Sequence, residues 1–191
     1  MSFADNLRKA NIDEGIIQQI MSVDYPGDEG NPKQDAANFY SAAMTRCEEL
    51  LDFDTISAVM FTKSCCKGGY RLNNAKQLAA EHGDKPLAEK LALLGELKYM
   101  GKPFLNKDGD IQSDAVGTHE AGSMTCPCWY FAGCTPVNGP MPLTYCLCCG
   151  SHFKVHYQKA LGVKLRIKRV VSSIINSDGK HPCVFVYQII R

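Results

Sequence analysis

The sequence lacks any long hydrophobic run. No stretch of about 18 apolar residues occurs, so no membrane-spanning helix is expected. The N-terminal MSFADNLRKANIDEG has no apolar segment of the kind that opens a secretory signal. Internal repeats and low-complexity segments are missing as well. We therefore expect a cytoplasmic protein without a membrane partner.

An excess of charge of one sign is also lacking. The chain has 21 basic and 20 acidic residues and a net charge of +1. This balance gives no electrostatic reason to expect nucleic acid as a partner. Hydrophobic residues make up 45% of the 191 residues, which is enough for the core of one domain, or of one domain with a helical extension.

The first hundred residues carry helix signals. Asp13, Asn31 and Asp54 each precede apolar residues at helical spacing and are predicted to cap helices, the third of which should run to Gly68. Cys47 lies on one of these apolar stripes and is predicted to belong to the core, because a free cysteine packs as a small hydrophobic residue.

The C-terminal part combines one helix with strands. KPFLNKDGDIQ predicts a hairpin. Ser151 is predicted to cap a helix that ends at Gly162, and VKLRIKRVVSSII and CVFVYQII then predict an antiparallel pair. The predicted fold is α+β: a helical half (residues 1–100) packed on a small antiparallel sheet with a C-terminal helix-strand-strand unit. That unit belongs to a cysteine-rich part (residues 101–191), and the whole is expected to form one compact unit.

The chain contains ten cysteines, and six of them fall between residues 126 and 149. In a reducing compartment, such a concentration indicates metal binding or thiol chemistry rather than disulfides. The pairs are Cys-Pro-Cys and Cys-Leu-Cys-Cys, without the two-residue spacing that zinc ribbons favour. Two neighbouring thiols can chelate one ion here only if the backbone turns.

A zinc site is the first interpretation of this cysteine pattern. Zinc binds thiolates and imidazoles in tetrahedral arrays, and His152 and His156 follow Cys149 on one helical face. A helix start also stabilises thiolates. The predicted metal ligands are Cys126, Cys128, Cys146, Cys148, Cys149 and His152. Two alternatives stay open: a reactive or redox thiol pair, and buried cysteines that only pack around a pocket.

Three residues near the cysteines are predicted to contact a ligand. They are His119, Trp129 and His156. His119 stands beside Glu120, and the pair fits either a general base with its orienting partner or an ordinary loop. Trp129 directly follows Cys128 and suits a core position or the wall of a pocket.

The run YCLCCGSHFKVHYQKALGVKLRIKRVVSSIINSDGKHPCVFVYQI resembles a known superfamily. The shared pattern is an aromatic-Cys-x-Cys, a glycine, a helix ending in Leu-Gly, a strand, Gly-x-x-x-Cys-x-Phe and a last strand. It is similar to ligand-sensing domains related to four-vinyl reductase and to methanogen output domains. It also resembles the family around L-2-amino-thiazoline-4-carboxylate hydrolase. Within this superfamily it is most similar to uncharacterised bacterial proteins with paired cysteines before the helix. The resemblance covers roughly residues 120–191 and implies an α/β fold, a homodimer and a small-molecule pocket.

Several sensors of this group resemble one another in holding zinc through a glutamate and cysteines of the C-terminal hairpin. When their last cysteine is matched to Cys183, Ser172 stands where the glutamate would be and Ile175 where a second cysteine would be. That zinc site is therefore not carried over, and a metal in this chain must use the upstream cysteines.

Three functions follow as hypotheses. The first is a small-molecule-binding domain with a cysteine-rich, zinc-binding site. The second is a hydrolase of a small ring or amide, in which a metal-bound water attacks or the thiolate of Cys126, Cys128, Cys148 or Cys149 does. The third is a redox or iron–sulfur protein.

Overall fold

A computed structural model describes residues 2–64, 67–115, 118–120, 123–126, 128 and 134–190. The α-helices are α1 (Phe3–Lys9), α2 (Glu14–Met21), α3 (Pro32–Leu50), α4 (Phe53–Lys63), α5 (Gly69–His82), α6 (Leu87–Glu96) and α7 (Leu147–Leu161). The strands are β1 (Lys102–Leu105), β2 (Ile111–Ala115), β3 (Thr118–Glu120), β4 (Ser123–Thr125), β5 (Lys164–Ser172) and β6 (Cys183–Ile190). A short 3₁₀ helix, Leu143–Cys146, leads into α7.

Side-chain caps start two of the predicted helices. The Asp13 carboxylate accepts a hydrogen bond from the Gly15 backbone N–H at 2.8 Å, and α2 follows. The Asn31 side chain accepts from the first free N–H groups of α3, with a proline at the first helical position. Cys47 in α3 is 1% exposed, so its predicted core position is confirmed.

The prediction that Asp54 caps α4 is wrong. The cap is Asp52, whose carboxylate accepts from the Thr55 N–H at 2.7 Å, while Asp54 pairs with Arg166 on β5. The predicted end at Gly68 is also wrong, because α4 stops at Lys63.

The prediction that Ser151 starts the last helix is wrong too. Helix α7 begins at Leu147, directly after the 3₁₀ turn, and no side chain caps it. Ser151 lies fully buried within the helix, and Cys148 and Cys149 occupy its first turn. The helix does end at Gly162, as predicted, because that residue adopts a left-handed conformation with φ of 71°.

Four strands form an antiparallel sheet in the order β1-β2-β6-β5. Helix α7 packs against β5 and is surrounded by α4, α5 and α6. Gly150 allows this close approach, since a Cβ there would lie 3.1 Å from the fully buried Phe185 ring. The predicted α+β class, with helices N-terminal and strands C-terminal, is confirmed.

Strands β3 and β4 pair with each other in a separate two-stranded hairpin. This hairpin leads into the first of the clustered cysteines. Among the helices of the described ranges, none has the length and apolar character needed to cross a membrane.

Candidate functional site

Three separate segments bring cysteines to one region of the molecule. Cys126 and Cys128 follow β4, while Cys146, Cys148 and Cys149 stand at the junction of the 3₁₀ turn and α7. The third segment is the first residue of β6, Cys183, which is 7% exposed. We call these residues the thiol cluster: Cys126, Cys128, Cys146, Cys148, Cys149 and Cys183.

The thiols of the three segments lie close enough to raise one another's pKa. The pKa of Cys146 is raised in part by Cys183, Cys126 and Cys128. The pKa of Cys149 is raised in part by its neighbour Cys148 and also by Cys146, Cys183 and Cys128. The two sequence groups, one before Trp129 and one before Ser151, therefore lie near each other in the folded chain.

Burial keeps several of these thiols protonated. It raises the pKa of Cys126 to about 12, and neighbouring thiols add to this effect. The pKa values of Cys146 and Cys149 are raised well above the ordinary value, first by burial and then by the surrounding thiols. Burial also raises the pKa of Cys183, although the Ile174 N–H donates to its sulfur at 3.5 Å. A neutral thiol is a poor nucleophile.

Two tyrosines and a buried lysine flank the thiol cluster. The Tyr145 hydroxyl lies 3.5 Å from the Cys128 sulfur, and the Tyr145 ring packs edge-on against Tyr40. Lys63, at the end of α4, is only 6% exposed and donates to the Tyr40 hydroxyl at 3.0 Å. Its ammonium also lies 5.7 Å from the centre of the Tyr145 ring. Lys63 thus lies beside the two tyrosines at this edge of the cluster.

His152, one of the two predicted histidines, contacts a residue outside the thiol cluster. His152 Nε2 contacts the guanidinium of Arg71 from α5, and its ring lies 4.8 Å from the His156 ring. Burial, then Arg71, lowers the pKa of His152 to about 3, so the ring is neutral at pH 7. His152 Nε2 is therefore occupied by Arg71 in this arrangement, and metal binding through His152 stays a prediction.

The remaining predicted residues are described in part or not at all. His119 belongs to β3, and only its backbone is described. Trp129 lies outside the described residues, as do Cys65 and Cys66. Next to Cys126 and Cys134 there is a cleft of about 150 Å³. This volume is small compared with ligand pockets of roughly 300–1,000 Å³.

Within the described residues, no group of three or more histidine, cysteine, aspartate or glutamate side chains has the geometry to hold a metal ion. The cluster is a gathering of neighbouring thiols and not a finished coordination shell. Zinc–sulfur bonds are about 2.3 Å long, so a metal would require cluster side chains to rotate toward a common centre.

Cys183 is the member of the cluster that sequence reasoning left out of the ligand set. It lies 34 positions after Cys149, and its place depends on β6 pairing with β2 and β5. Its one sequence signal was its match to the last cysteine of the resembling family. Nothing in the sequence indicates that Lys63 lies near the site, because its pattern is that of an ordinary lysine on a helix.

Comparison of the chain with family models, with curated proteins and with solved structures found no match. The family resemblance, the small-molecule pocket and the homodimer stay predictions.

Proposed function

We propose that this chain binds a soft metal ion, with zinc as the first candidate, through the thiol cluster. The observation that supports the proposal is the convergence of thiols from three separate segments beside Tyr145. The same cysteines belong to the hydrophobic core or pack against it, so the titration below separates metal binding from core packing. Thiolates are the ligands that soft metal ions prefer.

The raised pKa values of Cys126, Cys146 and Cys149 disfavour a free thiolate nucleophile at these positions. With a pKa of about 12, the Cys126 side chain is a neutral thiol at pH 7. Burial disfavours the thiolate of Cys149 as well. A bound cation removes this obstacle, because it stabilises deprotonated sulfur directly. Two of the four candidate nucleophiles of the hydrolase hypothesis are therefore weak nucleophiles here.

The buried charge of Lys63 supports the same proposal. Four thiolates around one divalent ion carry a net negative charge, which is costly to bury. The Tyr145 hydroxyl, 3.5 Å from the Cys128 sulfur, can donate to a thiolate there, and Lys63 lies beside the Tyr145 ring. Groups of this kind around a metal shell commonly change affinity by about 10–100-fold. Free thiols in the described part of the chain also suit the reducing compartment that we propose.

The test is a titration of reduced, chelator-treated protein with Cd²⁺, followed by thiolate-to-metal charge-transfer absorbance in the ultraviolet. We expect saturation at a fixed ratio of metal to chain and release of protons on binding. The double variant Cys146→Ala, Cys183→Ala should lose most of the absorbance.

Cys47→Ala is the matched control. Cys47 is also a buried thiol whose pKa burial raises to about 12, but it lies in α3 and outside the thiol cluster. Its variant should keep the full charge-transfer signal. Absence of the signal in the parent protein, or its equal loss in the control, would leave the cysteines as packing residues only.

A further inference from the structure

A second region of the molecule, which is lined by no residue of the thiol cluster, has the features of a ligand site. A cleft of about 590 Å³ lies between one face of α4 and the β5–β6 pair. Its walls include Lys9, Phe61, Lys154, Arg166 and Ile190. The volume falls within the range of small-molecule sites.

Lys154 gives the cleft its chemical character. It projects from α7, is half-buried, and within the described residues makes no ion pair. Its ammonium lies 5.3 Å from the centre of the Phe61 ring. A charge withdrawn from water without a counter-ion is unfavourable, and an anion in the cleft would relieve this cost.

A second ammonium strengthens this argument. Lys67 Nζ lies 4.2 Å from the same Phe61 ring and donates to the Phe61 carbonyl oxygen at 2.9 Å. Two cations thus share one aromatic ring. The carboxylate on the cleft wall, Asp54, is already bonded to Arg166. Two ammonium groups therefore lie near one cleft-lining ring in a chain that is near-neutral as a whole.

The apolar surface of the cleft narrows the ligand class. Phe61 and Ile190 are 37% and 45% exposed, which is high for large apolar side chains. A ligand that covers both and reaches Lys154 needs an apolar body and an anionic head. We propose that this cleft binds a small aliphatic carboxylate, with its head on Lys154 and its chain along Phe61 and Ile190.

The test is calorimetric titration of the full chain at low salt with sodium octanoate, and in parallel with octan-1-ol and with inorganic phosphate. Octanoate should bind at one site per chain. Octan-1-ol lacks the charge and phosphate lacks the apolar body, so each should bind at least about tenfold more weakly. Phe61→Ala should weaken octanoate binding as well.

Lys154→Gln should weaken octanoate binding about tenfold or more and remove the preference over octan-1-ol. The matched control is Lys159→Gln, an exposed lysine on the same helix, which should bind octanoate like the parent. Thermal unfolding of both variants checks that each is folded.

No octanoate binding by the parent, equal affinities for octanoate and octan-1-ol, or equal effects of the two lysine variants would overturn the proposal. None of the lining residues belongs to the thiol cluster, so a failure of metal binding does not affect this result.

Discussion

At the scale of single residues, Tyr157 joins the two halves of the protein through one hydroxyl. The side chain is fully buried in α7. Its O–H donates to the Met100 carbonyl oxygen at 2.6 Å and lies 2.6 Å from the Ser113 hydroxyl on β2. The helix, the sheet and the end of the helical half therefore depend on one phenol.

We predict that Tyr157→Phe lowers the free energy of unfolding by about 1–3 kcal/mol, because it leaves buried polar groups without their partner. Urea unfolding measures this loss. Tyr70→Phe is the control. Tyr70 is 62% exposed, so loss of its hydroxyl should leave the free energy of unfolding unchanged. Equal losses in the two variants would contradict the account.

The lowered pKa of His152 predicts that the protein loses stability as the pH falls. Its pKa is about 3 in the folded chain against an ordinary value of 6.5, because burial and Arg71 disfavour the charged ring. The unfolded chain therefore binds this proton first as the pH falls. The resulting stabilisation is complete above about pH 6.5 and is lost between about 6.5 and 3, by on the order of 2–4 kcal/mol.

His152→Gln removes this titration, so its unfolding free energy should fall less steeply over the same pH range. The measurement is denaturant unfolding of parent and variant at several pH values between 3 and 7. Parallel pH profiles would show that His152 is not held neutral by its surroundings.

At the scale of elements, local sequence signals predicted where most helices lie. Some predicted helix starts were wrong, because they depend on contacts beyond the capping residue. Asp13 and Asn31 acted as caps because their side chains reach backbone N–H groups within three residues. Asp52 and Asp54 carry the same signal two positions apart, and sequence alone does not rank them. The start of α7 could not be predicted, since it continues a 3₁₀ turn without any capping side chain.

The two aspartates before and within α4 give a direct test. Asp52→Ala should lower the melting temperature, because the Thr55 N–H loses its acceptor at the helix start. Asp54→Ala should have a smaller effect, because it removes an exposed ion pair with Arg166. A larger loss from Asp54→Ala would support the cap predicted from sequence over the one described here.

Gly150 gives a second prediction for an element. Alanine normally stabilises a helix interior by up to about 1 kcal/mol over glycine. At position 150, however, the new Cβ would lie 3.1 Å from the buried Phe185 ring. Gly150→Ala should therefore destabilise the protein, by about 1–3 kcal/mol.

Gly95→Ala in α6 is the comparison, since its Cβ would meet its nearest neighbour, on Pro103, at an ordinary 3.9 Å. This variant should be neutral or stabilising in thermal unfolding. A stabilising Gly150→Ala would mean that α7 does not pack this closely on the sheet.

At the scale of the whole molecule, the fold explains how distant cysteines become neighbours. The cysteines at 126–128 and 146–149 could be grouped from sequence because they are close along the chain. The place of Cys183 could not be predicted, since it depends on the register of β6 against β2, in which Cys183 faces Ala115. Lys63 reaches the same region only because α4 packs on α7. The cleft beside Lys154 likewise depends on the tertiary fold, because its walls come from α4, β5 and β6.

The most direct measurement of the central claim is X-ray absorption at the zinc edge of protein loaded with one equivalent of zinc. The account predicts a first shell dominated by sulfur at about 2.3 Å. It also predicts that Cys146→Ala with Cys183→Ala removes sulfur from that shell, while Cys47→Ala does not. A shell made of nitrogen and oxygen alone, or a protein that retains no zinc, would contradict it.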